Sequence, residues 1–212
     1  MLKNIIKSFM AGFIIGLAGC LYLVAISQEF RLLPALLFPV GLFLICTFSF
    51  NLYTGKIGYI FDKEKNIKII DLIIMVIFNF IGAVLVGLIY NLIFSGYTKE
   101  VAEEVAYLKF SNLDFKKALL VLLKSTLCGV FVYIAVYLFS KSQSEVGKMF
   151  GVWIPIFTFA YLGLDHSIAN MFYMSAGKYF EASSFILILV AILGNSIGAI
   201  LFDLLRRKVL EK

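Results

Sequence analysis

Residues 163–171 read Gly-Leu-Asp-His-Ser-Ile-Ala-Asn-Met and follow an uncharged run that extends from Met149 to Leu164. This run is close to the length that crosses a membrane. Asp165 and His166 come directly after it, and ionisable side chains at membrane depth are rare and are kept there mainly for function. The stretch therefore predicts a helix that unwinds partway across a membrane, with the polar residues inside the break.

The composition indicates that lipid surrounds most of the chain. Hydrophobic residues make up 62% of the 212 residues and charged residues 15%, and the mean hydropathy is +0.98, so too little polar surface is available to cover a soluble globule. We predict an all-α membrane protein with six transmembrane helices in a single domain, residues 1–212. The uncharged runs are residues 8–28, 32–55, 72–98, 125–140 (from 118 if Lys124 is tolerated), 149–164 and 182–202.

The basic residues favour an orientation with both termini in the cytoplasm, because cytoplasmic segments carry an excess of Lys and Arg. In this orientation eleven basic residues lie inside and six outside, with Lys56 and Lys124 unassigned because they fall within or beside spans. These flanks account for the net charge of +6, so we expect no nucleic-acid partner. The inside residues are Lys3, Lys7, Lys63, Lys65, Lys68, Lys141, Lys148, Arg206, Arg207, Lys208 and Lys212, and the outside residues are Arg31, Lys99, Lys109, Lys116, Lys117 and Lys178.

A second interruption follows the second run. Residues 51–58 read Asn-Leu-Tyr-Thr-Gly-Lys-Ile-Gly, and a lysine behind a Thr-Gly pair favours the end of a helix over its continuation through lipid. The two interruptions follow the starts of the first and fourth spans at similar distances, so we predict broken second and fifth helices in inverted halves, roughly 1–98 and 115–212. Such paired breaks point to a solute site at the membrane midplane. Half-helix N-termini there would present free N–H groups to an anion.

The cysteines give no sign of a metal or a cofactor. Cys20, Cys46 and Cys128 are scattered one per apolar segment, without the Cys or His spacing of a metal site. We predict no metal and no cofactor.

Residues 163–171 closely resemble the signature G-[FL]-[ED]-H-S-[IV]-A-N-M of the formate/nitrite transporter family, and residues 52–55, Leu-Tyr-Thr-Gly, resemble its L-[FY]-T-G motif. Members of that family are pentamers of aquaporin-like protomers, each with its own pore, that pass formate, nitrite, hydrosulfide or similar small monovalent anions. The resemblance implies the same fold, a homopentamer and a small-anion substrate for this chain. We expect an integral protein of the bacterial inner membrane.

The resemblance also implies roles for four residues. His166 would be the histidine at the pore midpoint and Thr54 the loop threonine that faces it, although 112 residues separate them. Leu52 and Tyr53 would lie near an apolar constriction. The chain departs from the family pattern at two positions, where Asn51 replaces a frequent acidic residue and Lys56 replaces an Asn or a small residue.

The residues around the breaks give further expectations. Asp165 would either pair with a positive group or cap the helix that follows, and we predict capping. Asn170, one helical turn after His166, would brace the break. Asn79 and Asn195, in the middle of the third and sixth spans, would hydrogen-bond across helices, including to the breaks.

Three lysines are candidates for a positively charged vestibule at the mouths of the pore. Lys56, Lys124 and Lys148 lie near span ends, where an ammonium group would concentrate an anion. The alternative is that each lysine only extends to the membrane interface, which is common at span ends.

The expected activity is transport of a weak-acid anion, with proton coupling as one route. Two alternatives have other functions: an aquaporin-like channel for small neutral solutes, and an assembly subunit without a solute path. A membrane enzyme with His166 and Asp165 as acid and base would lack a nucleophile and a second histidine. We therefore predict no enzyme.

Overall fold

Ten α-helices and no β-strand form the part of the chain that the computed structural model describes, residues 1–28 and 32–210. Arg31 and Lys212, two of the residues used for the predicted orientation, lie outside it. A 3-10 turn, Ile57–Tyr59, follows α4. The helices are α1 (Leu2–Ser27), α2 (Leu33–Leu37), α3 (Pro39–Thr47), α4 (Tyr53–Lys56), α5 (Ile69–Ile93), α6 (Tyr97–Phe110), α7 (Phe115–Lys141), α8 (Glu145–Tyr161), α9 (Ser167–Ala176) and α10 (Ala182–Leu210).

Four helices are long and apolar enough to cross a membrane. They are α1, α5, α7 and α10, with 26, 25, 27 and 29 residues, and residues 33–47 form a shorter apolar segment. The third predicted span was too long at its C-terminal end. The predicted span extends to Thr98, but α5 ends at Ile93 and α6 begins at Tyr97, because Gly96 turns the chain with a positive φ of 59°.

The long helices pack in two similar pairs, α1 against α5 and α7 against α10. A glycine sits at each crossing. A Cβ atom at Gly12 would overlap the backbone carbonyl of Asn79, and one at Gly129 would overlap the backbone carbonyl of Asn195. Both crossings therefore depend on the absence of a side chain, as is common where helices pack in membranes.

Two interruptions separate α3 from α4 and α8 from α9, and they begin in the same way. The N–H of Phe50 donates to the carbonyl of Ile45 at 2.9 Å, and the N–H of Leu164 donates to the carbonyl of Phe159 at 3.0 Å. The residue before each donor is left-handed: Ser49 has φ 54° and Gly163 has φ 63°. These bonds satisfy carbonyls that each ending helix would otherwise leave without a partner.

The molecule has two distinct ends. At the end that holds the start of α1 and the end of α10, called here the termini side, Arg207 of α10 forms ion pairs with Asp203 at 2.7 Å and with Asp62 of the loop before α5 at 3.0 Å. At the opposite end, called here the α6 side, α6 packs against α1 and α9.

Candidate functional site

Asn79 of α5 holds the first interruption together with its side-chain amide. Its Oδ1 accepts the N–H of Tyr53 at 2.9 Å. Its Nδ2 donates to the carbonyl of Ser8 at 2.6 Å and to the carbonyl of Asn51 at 3.0 Å. A fully buried side chain therefore satisfies two backbone groups of the interruption and ties them to the carbonyl of Ser8 in α1.

Asn195 of α10 repeats this arrangement at the second interruption. Its Oδ1 accepts the N–H of Ser167 at 2.9 Å, and its Nδ2 donates to the carbonyls of Ser125 at 2.8 Å and Asp165 at 3.0 Å. The prediction that Asn79 and Asn195 bond across helices to the breaks is confirmed.

The half-helix N-termini are less open to an anion than predicted. The asparagine amides accept the N–H of Tyr53 and the N–H of Ser167, and the Nδ1 of His166 accepts the N–H of Ala169 at 3.1 Å. The expectation that these N–H groups point freely at a solute is wrong for these three. The breaks satisfy them internally because an unpaired backbone group in a dry interior is costly.

Thr54 and His166 lie in contact, as the resemblance implied. Thr54 Oγ1 and His166 Nε2 are 2.9 Å apart, and the two residues are 1% and 3% exposed. Because Nδ1 accepts the Ala169 N–H, Nδ1 carries no proton, and the neutral ring must carry its proton on Nε2. His166 therefore donates to Thr54, and the hydrogen of the Thr54 hydroxyl remains available to another acceptor.

Asp165 does not cap α9, so the predicted role is wrong and the alternative, an ion pair, is confirmed. Its Oδ1 accepts from Lys109 Nζ at 2.8 Å and from Asn170 Nδ2 at 3.1 Å. His166 occupies the cap position instead. From the sequence, Lys109 counts only as one of the outside basic residues, and its ion pair with Asp165 is not predicted. In the sequence Lys109 precedes Phe110, an apolar residue that α6 buries. This neighbour was the sequence feature that could have indicated that Lys109 lies near the protein interior.

Three cavities lie in series through the molecule and share their walls. The α6-side cavity, about 50 Å³, reaches His166, Lys109 and Asn170. The central cavity, about 10 Å³, shares Phe38, Phe159 and His166 with it. The termini-side cavity, about 340 Å³, shares Leu42 and Leu52 with the central cavity and extends to lysines at its far end. Together the cavities trace one path from end to end.

Two apolar constrictions close this path. The rings of Phe38 and Phe159 meet edge to face with centroids 5.7 Å apart, between the α6-side and central cavities. Leu42 and Leu52 separate the central cavity from the termini-side cavity. A space of about 10 Å³ holds at most one water molecule. The path is therefore closed at both constrictions in the described conformation.

The other predicted site residues divide into two groups. Lys56 and Lys148 line the termini-side cavity, where Lys148 also pairs with Glu145 at 2.8 Å. Tyr53 and Lys124 line none of the three cavities. Tyr53 turns away, with its hydroxyl 2.8 Å from Ser196 Oγ, because its neighbour Leu52 takes the position that faces the path. Lys124 is exposed on α7.

The described residues contain no group of three or more His, Cys, Asp or Glu side chains placed to hold a metal ion. The cysteines Cys20, Cys46 and Cys128 are free thiols.

Comparison with known proteins identifies the family. The family model described as formate/nitrite transporter matches residues 1–206. The chain is 30% identical over 234 residues to a probable formate transporter of Methanothermobacter thermautotrophicus, covering 94% of this chain and 85% of the relative. It is 34% identical over 185 residues to the uncharacterized transporter YrhG of Bacillus subtilis, covering 81% and 68%.

Solved structures share its fold. An FNT family ion channel superimposes with a TM-score of 0.83 at 22% identity, over 95% of this chain and 87% of that chain. A pentameric formate channel with formate bound superimposes with a TM-score of 0.81 at 19% identity, over 99% and 97%. The chain therefore belongs to the formate/nitrite transporter family of membrane transport proteins.

Proposed function

We propose that the chain forms a channel, and not an enzyme, for small monovalent weak-acid anions, with formate as its first substrate. The observation that carries this proposal is the series of three cavities, which reaches His166 between two apolar constrictions; His166 is in turn in contact with the buried Thr54, which itself lines none of the three cavities. The names of relatives support formate: one is a probable formate transporter and another is the formate channel BtFdhC of Bacillus thuringiensis. Nitrite and hydrosulfide are proposed as further substrates of similar size.

The proposed setting is a homopentamer in the bacterial inner membrane, with the termini side in the cytoplasm. Each protomer would cross the membrane six times. The four long helices would make unbroken crossings, and the pairs α3–α4 and α8–α9 would each make one broken crossing. The halves, roughly residues 1–98 and 115–212, would form an aquaporin-like inverted repeat. The matching bonds of Asn79 and Asn195 support this relation.

Neutralisation of the anion is the proposed means of crossing the apolar constrictions. Moving a bare monovalent ion into a low-dielectric medium costs on the order of 20 kcal/mol by an idealised Born estimate. Protonating a carboxylate with a pKa of about 3.9 at pH 7 costs roughly 4 kcal/mol. A weak acid can therefore pass where a permanently charged ion such as chloride cannot, and passage would carry a proton with the anion.

The polar groups along the path have separate proposed roles. Lys109 at the α6 side, with Lys56 and Lys148 at the termini side, would concentrate the anion at the two mouths. The Asp165 carboxylate would hold Lys109 beside the α6-side cavity. At the centre, His166 would donate to Thr54 and polarise its hydroxyl, which would then donate to the solute.

Flux into liposomes tests the proposal. Purified protein would be reconstituted and exposed to formate, nitrite, hydrosulfide, lactate and chloride separately, with protein-free liposomes as the control. We expect formate flux to exceed chloride flux by at least about tenfold, because only the weak acid can be neutralised cheaply. Equal flux of formate and chloride would contradict the neutralisation step. Passage of glycerol without formate would favour a channel for neutral solutes instead.

A further inference from the structure

A second cavity on the termini side, called here the side cavity, lies next to the termini-side cavity and has a volume of about 280 Å³. The two cavities share Lys56, Val136 and Ser140. Their other walls differ. The termini-side cavity is lined mainly by aliphatic and aromatic side chains, whereas the side cavity is lined by three amides, a second lysine, a tyrosine and one carboxylate. Lys56 is therefore the charged part of the partition between an apolar space and a polar one.

The side cavity contains hydrogen-bond donors that the protein does not use. Within residues 1–28 and 32–210, the side-chain amides of Asn4, Asn51 and Asn66 form no hydrogen bond, and Lys56 forms no ion pair. Each amide offers two N–H donors and an ammonium group offers three. Each amide also has an acceptor oxygen, and Asn4, Lys65 and Asn66 are exposed to solvent, but the N–H donors of the wall outnumber its acceptor atoms, so the wall is suited to a ligand with several acceptor oxygens.

The charge of the wall favours an anion. Lys56 and Lys65 contribute two positive charges, against the single carboxylate of Asp71. Lys65 lies over the ring of Tyr59 at 5.9 Å from the centroid, which places its ammonium at the same wall. Asn51 and Lys56, the two departures from the family motif, both line this cavity. Relative to that motif, one removes a frequent negative charge and the other adds a positive charge.

We propose that the side cavity is a binding site for a small oxyanion, held by Lys56 and Lys65 with the amides of Asn51 and Asn66. Inorganic phosphate is the chemical model for this ligand, because its oxygens are strong acceptors spread in three dimensions. The site regulates the channel because Lys56 also faces the termini-side cavity. An oxyanion bound to Lys56 screens the charge that attracts formate into the pore. Its effect on flux rests on the proposed function, whereas binding itself does not.

Direct titration tests the site independently of transport. Phosphate would be titrated into detergent-solubilised protein by isothermal calorimetry, at constant ionic strength set with chloride. We expect saturable binding to the wild type, and affinity weakened by about three- to tenfold in Lys65→Gln, since one charge-assisted hydrogen bond is lost. Lys63→Gln is the matched control, because Lys63 lies in the same exposed loop but lines neither cavity. Absence of phosphate binding, or equal affinity in the two variants, would overturn the proposal.

Flux measurements test the regulatory effect. Phosphate would be added on both sides of the liposomes, so that the orientation of the protein does not matter. We expect phosphate to inhibit formate flux in a saturable way, and Lys65→Gln to require about three- to tenfold more phosphate for the same inhibition. Lys65 lines none of the three cavities of the pore, so flux without phosphate should stay within about twofold of the wild type. Inhibition that is identical in Lys65→Gln and the wild type would refute the regulatory role.

The two experiments separate this inference from the proposed function. Phosphate binding without any formate flux would retain the site and reject the channel. Formate flux without phosphate binding would retain the channel and reject the site.

Discussion

The interruptions at residues 48–52 and 162–166 end and restart their helices with matching backbone hydrogen bonds, and each is held by one buried asparagine. Their contents differ. Leu52 and His166 occupy equivalent positions directly before the half-helices, so an aliphatic side chain faces the path from one half and an imidazole from the other. The backbone arrangement of the interruption, with its buried asparagine, is therefore repeated in the two halves of the sequence, whereas the imidazole at the centre comes from only one of them.

The half-helices after the two interruptions also differ. Helix α9 has ten residues, all buried, and His166 caps it. Helix α4 has only four residues, has no side-chain cap, and continues into a 3-10 turn. The spaces beside them are unequal as well, about 340 Å³ on the termini side and about 50 Å³ on the α6 side. The path is therefore wider on the termini side of the two constrictions than on the α6 side.

The largest effect is expected when either asparagine is removed. Asn79→Leu and Asn195→Leu each leave one N–H and one carbonyl of an interruption without partners, and a buried unpaired group costs about 1–3 kcal/mol. We expect both variants to lose most of their folded protein, measured as the monodisperse fraction after heating and size-exclusion chromatography. Gln143→Leu, at an exposed turn, is the control and should behave as the wild type. A severe loss of folded protein in only one of the two asparagine variants would show that the two interruptions do not depend equally on their asparagines.

The next largest effect concerns the equivalent pair Leu52 and His166. His166→Leu gives the second break the side chain of the first and removes the donor to Thr54. We expect formate flux per folded channel to fall by about tenfold or more, because a hydrogen bond in a dry site is worth more than in water. Thr54→Val keeps the shape of the threonine and should lose flux to a similar extent. Normal flux in both variants would leave the contact with a structural role only.

A smaller effect is expected at the termini-side mouth. Lys56→Gln should raise the half-saturating formate concentration by about threefold at low salt and less at high salt, because screening weakens the attraction of the ammonium for the anion. Lys124→Gln, which removes an exposed lysine that lines none of the three cavities, should leave this concentration unchanged. An equal change in the two variants would indicate a general effect of net charge instead of a local site.

The smallest effect is expected in the pH dependence. Protonation of His166 would place an Nδ1 hydrogen against the N–H of Ala169 and break the cap of α9. The ring should therefore stay neutral between about pH 5 and pH 8, although an unperturbed histidine titrates near 6.5. Formate flux measured across this range should follow the protonation of formate, and His166→Asn should lower the flux without changing the shape of the profile. An inflection near pH 6.5 that disappears in His166→Asn would contradict a neutral ring.

The sequence was sufficient to predict the parts of the site that short motifs encode. Polar residues after an apolar run indicated where α3 and α8 end, and the two motifs predicted the contact between Thr54 and His166. The pairing of Asp165 with Lys109 was not accessible in this way, because it depends on how α6 folds back over α9. Helix α4 has only four residues, which is too short for the spacing of apolar residues to show which side of the helix is buried. The sequence pattern therefore could not distinguish Leu52, which faces the path, from Tyr53, which does not.

The side cavity could not be predicted from the sequence, because its lining residues come from segments that are far apart along the chain. Its wall combines the start of α1, the first interruption, the loop before α5 and the end of α7. No local pattern connects Asn4, Lys56 and Asn66, and only the packed arrangement places their polar groups around one space.

The contact between Thr54 and His166 also sets an order of events during biosynthesis. The two residues are 112 positions apart, so the contact cannot form until residue 166 has been synthesised. The central cavity likewise takes Phe38, Leu42 and Leu52 from the first half of the sequence and Phe159 and His166 from the second. In the proposed channel, a nascent chain with only its first half inserted would therefore lack a complete solute path, and the membrane would be spared a leak until translation is nearly finished.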